Sequence, residues 1–256
     1  MTQAERSQIK KYFKKFPTWA VWMIIIGLPL LAVKYIGVIP IGLGIWGIVS
    51  YYQKPSDEQM DAWIQEDLQN LRTRALAKTG LDPSEIIAEP VMVYGPRFWN
   101  IGGAEVGIKK GTDGIVRFMP IGVTVINFTP HQLMAYQCAV DLTTGNSLSV
   151  STDEYFYRDV VSVSTQSESL TLDGIDANAV ANGPLAALLV GGKLQLNAAE
   201  TFKLTTSGGT FIKVLLRDPK LIERAGGGSI PTDMADKAVQ TVRKMLREKK
   251  IVAASA

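Results

Sequence analysis

The chain has 256 residues, 46% of them apolar, with 27 basic side chains against 24 acidic ones. That length holds one ordinary domain plus an appendage, the apolar share excludes a disordered chain, and the near balance of charge excludes a broad nucleic-acid surface. One cysteine, Cys138, and one histidine, His131, exclude an internal disulfide and any metal centre built from several such residues.

Residues 1–17 form a basic flank. Ile9, Tyr12, Phe13 and Phe16 recur beside Lys10, Lys11, Lys14 and Lys15. At helical spacing this gives an apolar stripe with a basic face, suited to a lipid surface. The positive charge of the chain lies here and in residues 231–250, and the middle is mildly acidic.

Residues 18–53 are the apolar stretch, with Lys34 as the one charge in Thr18–Tyr52. A helix needs about 20 apolar residues to cross a bilayer, so the stretch is long for one span and short for two. Trp19 and Trp22 open it; Trp46, Tyr51 and Tyr52 close it. Such side chains favour the membrane interface. A turn near residues 34–37 puts both groups on one side and lets the Lys34 ammonium reach water. The reading is a membrane helical hairpin or re-entrant wedge, with a single span as the alternative. The basic flank places the N-terminus in the cytoplasm. A hairpin returns the chain to that side, so the bulk of it is expected to be membrane-anchored and cytoplasmic, at an inner or plasma membrane. A signal peptide has similar parts, but no A-x-A-like site follows. The expected lipid contacts are Lys10, Lys11, Lys14, Lys15, Trp19, Trp22, Trp46, Tyr51 and Tyr52.

Residues 54–80 read as an amphipathic helix. Ser56 and Gln59 match a capping box, Asp57 and Glu58 suit the first turn, and Gly80 suits the C-terminal cap. Met60, Ile64, Leu68 and Leu71 recur at spacings of three and four. That stripe must bury against its own domain or, given its near-heptad spacing, against another copy. These four are the candidates for an oligomer interface.

Residues 81–114 read as a connecting segment, with Ile86-Ile87 and Val91–Tyr94 as candidate short strands and an exposed hairpin tip at 109–114. Residues 115–250 read as a β domain closed by a helix. About seven strands are expected over 115–216, including a hairpin turning at Ser207-Gly208-Gly209. A strand is also expected to carry Tyr157, Arg158 and Asp159. Even spacing suggests a small sandwich or barrel. Ala225–Ser229 is a linker. Ala235, Ala238, Val239, Val242, Met245 and Leu246 then form one face of a final helix, and Arg243, Lys244, Arg247, Lys249 and Lys250 crowd its last turns.

A strand-rich unit followed by one amphipathic helix resembles a pleckstrin-homology-like (PH-like) domain. Residues 157–163, 202–212 and 238–246 look like the corresponding strand, late hairpin and terminal helix of bacterial membrane-anchored members of that superfamily. The resemblance implies an α+β chain: membrane hairpin, long amphipathic helix, then a PH-like barrel of about seven strands capped by a helix. It also implies a scaffold for binding or oligomerisation, not a catalyst.

The chemistry-bearing residues agree with a non-catalytic reading. His131 follows Pro130 in a turn, and Cys138 lies in a strand-like run. Gly42-Leu43-Gly44-Ile45-Trp46-Gly47 spells a dinucleotide-binding glycine motif without its βαβ context; close helix packing is its better use. No cofactor or metal is expected. The expected function is a membrane-anchored scaffold that presents a PH-like domain, forms homo-oligomers and contacts lipid or an unidentified protein. The alternative is a single-span envelope or secretion-machine component with an exported β domain. A hydrolase with an unusual site, using His131 and acidic loop residues, is the third reading.

Overall fold

The computed structural model describes residues 1–31, 36–176, 180 and 185–254. It divides into two compact units, Met1–Ile64 and Gln65–Ala256.

The first unit contains α1 (Gln3–Phe13), α2 (Thr18–Leu30), α3 (Val38–Tyr52) and the start of α4 (Asp57–Thr79). Thr2 and Glu5 cap α1 reciprocally. Ile9 and Tyr12 on α1 are buried, and the Tyr12 hydroxyl donates to an Asp57 carboxylate oxygen at 2.6 Å. α2 and α3 pack as an antiparallel pair, with Trp19 against Gly47, Ala20 against Gly44 and Gly27 against Ile41. Small residues let the backbones approach: a methyl group at Gly44 would stand 2.5 Å from the Ala20 carbonyl oxygen.

No described helix is long and apolar enough to cross a membrane. α2 has 13 residues and α3 has 15, about 20 and 22 Å at the helical rise, against roughly 30 Å of hydrocarbon. This corrects the sequence reading. The transmembrane hairpin falls, and so do the membrane-anchored cytoplasmic placement and the single-span alternative. The apolar run is continuous in sequence, but α2 stops at Leu30 and α3 starts only at Val38. Lys34 and Tyr35, to which the turn was assigned, lie outside the described residues.

The second unit holds the rest of α4 and, among its described residues, ten strands and further helices. A four-stranded antiparallel sheet has the order β1 (Ala88–Pro96), β4 (Ile121–Phe128), β5 (Gln132–Asp141), β6 (Asn146–Phe156). A second sheet has the order β10 (Phe211–Arg217), β9 (Lys193–Thr206), β7 (Val160–Leu172), with β8 (Leu189–Val190) paired to β9. β2 (Gly107–Lys110) and β3 (Val116–Met119) form a separate hairpin. Helices α5 (Pro219–Arg224) and α6 (Asp233–Ala254) end the chain. Among the described residues the sheets are open, and no closed barrel forms. This corrects the expected PH-like barrel. The sequence shows alternation and turns, but closure depends on pairing between distant strands, which local pattern does not encode.

The main core lies between these elements. Val93, Ile126, Phe128 and Leu133 of the first sheet meet Val163, Phe202, Leu204 and Val214 of the second. Ala235, Ala238, Val239, Val242 and Met245 of α6 pack into the same cluster, with Leu246 partly buried at its margin. The helix face read from sequence is thus the face that covers the core. Two of the basic residues at its end are tethered to the sheet. Arg243 Nη2 donates to the Val163 carbonyl at 3.1 Å, and Lys250 Nζ to the Val160 carbonyl at 2.7 Å.

Within the segment 81–114, the candidate strand Val91–Tyr94 is part of β1, whose residues 91–96 pair with β4, and the 109–114 tip joins β2 to β3. One local expectation needs correction. Tyr157, Arg158 and Asp159 form the turn between β6 and β7 instead of lying on a strand. That turn is held from both sides. The Tyr157 hydroxyl donates to the buried Thr129 carbonyl at 2.8 Å, and the Ser207 amide donates to the Asp159 carbonyl at 2.7 Å.

Candidate functional site

The pairing of α2 and α3 leaves an unusual surface. Ala20, Gly27, Gly44 and Gly47 are buried in the seam, where Trp19, Ile24 and Ile41 reach them, and most of the other large side chains are exposed. Fifteen of the twenty-one exposed large apolar side chains among the described residues lie between Phe16 and Tyr52. Trp22, Ile39, Trp46 and Tyr52 are each more than 60% exposed. A helix that is apolar all round ordinarily lies inside something larger, and an exposed apolar patch of this extent marks an interaction surface.

The expected lipid-contact residues fall into two groups. Lys10 and Lys11 occupy the last turn of α1, Lys14 caps it, and Lys15 follows. Trp19 and Trp22 begin α2, while Trp46, Tyr51 and Tyr52 end α3. The antiparallel pairing brings the opening and closing aromatics together. Phe16 and Tyr51 meet edge to face at 5.2 Å between ring centroids, and Lys54 Nζ stands 4.5 Å from the centroid of the Tyr51 ring.

The expected oligomer stripe is spent within the chain. Met60, in the first unit, is buried, as are Leu68 and Leu71 in the second, and Ile64 is half-buried. An amphipathic helix covers its own core before it can offer that face to a neighbour.

A groove of about 520 Å³ lies between α4, β1 and α6 in the second unit. Leu68 and Met92 line it beside Arg72, Glu89, Lys237 and Thr241, with Arg72 and Glu89 3.8 Å apart. Neither histidine nor cysteine lines it. The mixture suits a ligand held by hydrogen bonds over an apolar floor. Sequence reading missed this groove because its walls come from segments about 150 residues apart.

The residues that could carry chemistry are dispersed. His131 is exposed in the turn between β4 and β5. Cys138 is buried, and burial pushes its thiol up from the ordinary value, away from the reactive thiolate. Gly44 and Gly47 of the glycine motif serve the helix seam, and Gly42 faces open space. Arg158 and Asp159 form an exposed pair at 3.8 Å. Among the described residues, no group of three or more His, Cys, Asp or Glu side chains could hold a metal ion.

Comparison with protein-family models, curated proteins and solved structures finds no match for the chain.

Proposed function

We propose that the chain is a non-catalytic assembly scaffold. Copies associate through the outward apolar surface of α2 and α3, and each copy contributes its α+β unit to the assembly. The observation that carries this reading is the hairpin's outer surface: glycine and alanine are buried in the seam, while Trp22, Ile25, Ile26, Ile39, Ile45 and Trp46 are exposed. Water is a poor neighbour for such a surface. A second copy supplies the same surface, so a two-fold contact is self-complementary by construction. Neither helix contains a charged residue to oppose that burial.

Sedimentation velocity without lipid or detergent tests the association. The full chain is expected to sediment as an oligomer. The triple variant Trp22→Glu, Ile39→Glu, Trp46→Glu is expected to sediment as a monomer of 27.9 kDa with an unchanged β-sheet circular dichroism signal. A monomeric full chain, or a triple variant that stays associated, would overturn the reading. So would transfer of the chain, as monomers, to neutral phosphatidylcholine vesicles.

A further inference from the structure

Arg97 follows β1 and lies in a small cleft lined also by Trp99, Thr124, Gln137 and Lys213. Its guanidinium carbon stands 5.8 Å from the centroid of the Trp99 ring, a cation–π arrangement that fixes the group in place. Gly122 makes room for the stem: a methyl group there would stand 3.0 Å from Arg97 Cβ.

Among the described residues that line the cleft there is no carboxylate. Arg97 Nε is buried without a hydrogen-bond partner. No carboxylate pairs with this guanidinium among the described residues. The other cation of the cleft, Lys213, is already paired with Glu168 at 2.9 Å. Burial pulls the Arg97 pKa down, as it does for a cation without a compensating charge. A guanidinium with a buried, unpartnered N–H carries a desolvation cost, and its planar fork matches a carboxylate. The cavity measures about 20 Å³. That is the room of about one water molecule, enough for the end of a carboxylate and not for the body of a metabolite.

We propose that Arg97, steadied by Trp99, is a carboxylate-binding residue. The carboxylate arrives on an acidic side chain of a partner peptide or as a small free acid. This site is independent of the apolar hairpin, so it stands or falls separately from the assembly reading.

Fluorine NMR of the full chain carrying 5-fluorotryptophan, in mild non-ionic detergent, tests it. The chain has five tryptophans, and the Trp99→Phe variant assigns the resonance of interest. Acetate is titrated against chloride at constant ionic strength. The Trp99 resonance is expected to move saturably with acetate only. Arg97→Met is expected to abolish the movement, and Arg97→Lys to weaken binding about tenfold, since lysine cannot offer the planar fork. If Arg97→Met disturbs the other four resonances, Arg97→Lys carries the comparison. A Trp99 resonance that ignores acetate, or that moves equally in both variants, would overturn the proposal. A blocked tetraglutamate peptide separates the sources. Saturation about tenfold tighter than acetate, per carboxylate, identifies a partner chain. Equal saturation identifies a free acid.

Discussion

Glu168 on β7 shows how a single side chain is tuned by its neighbours. Burial by itself would raise its carboxyl. Hydrogen bonds from Lys213, Thr201 and Gln166, with the Lys213 charge, overcome that and hold it down at about 2. A depressed carboxyl stabilises the fold above its unfolded value of 4.5 and loses that contribution as pH falls toward about 2. Glu168→Gln is therefore expected to flatten the fall in stability between these limits. The difference should be about 1 kcal/mol, discounted for the part of the side chain that water reaches. Urea midpoints measured from pH 5 to pH 2 check this, and identical slopes in both proteins would refute it. The terminal residues of α4 were legible from sequence for a related reason, because their interactions are local. The Gln59 amide donates to Ser56 Oγ at 3.1 Å, and Gly80 adopts φ +68° after the last turn. Arg97 was not legible. Nothing within a few positions of it reveals that its surroundings lack a carboxylate.

At the scale of elements, the α2–α3 pair rests on which glycine faces which backbone. Gly42 and Gly44 are two residues apart, yet only Gly44 meets the partner helix. Gly44→Leu is expected to destabilise the pair by about 1–3 kcal/mol through overpacking. Gly42→Leu should change little. Urea unfolding followed by helical circular dichroism separates the two, and equal effects would show that the seam is misplaced. The strands show a similar contrast. The β9–β10 turn was legible because Ser207-Gly208-Gly209 carries its own turn chemistry, with Gly209 at φ +81°. The β6–β7 turn was not. Tyr157, Arg158 and Asp159 read as strand residues, and contacts to Thr129 and Ser207, both distant in sequence, bend the chain there. β5 and β6 also shift register where Ser149 and Val150 oppose Cys138 alone, a bulge with Ser149 at φ +48°.

For the whole molecule, the second unit has its own core, and the apolar hairpin belongs to the first. A chain beginning at Ser56 is expected to unfold cooperatively in urea, at the midpoint of the β-sheet transition of the full chain. It is also expected to be monomeric. Loss of cooperativity would mean that the second unit depends on the first for its fold, and retained association would place the assembly surface outside the hairpin.

What the sequence by itself determined is whatever repeats over a few residues. It set the apolar run of residues 18–52, the caps of α4, the alternation of the strands and the core face of α6, since these follow from spacing and short-range hydrogen bonds. Only the tertiary structure decided that α2 and α3 fall short of a membrane span, that Leu68 and Leu71 are buried, and that, among the described residues, the sheets stay open and no carboxylate pairs with Arg97. Each of these depends on where one segment stops and which distant segment meets it. Burial and charge compensation are properties of such meetings, not of neighbours along the chain.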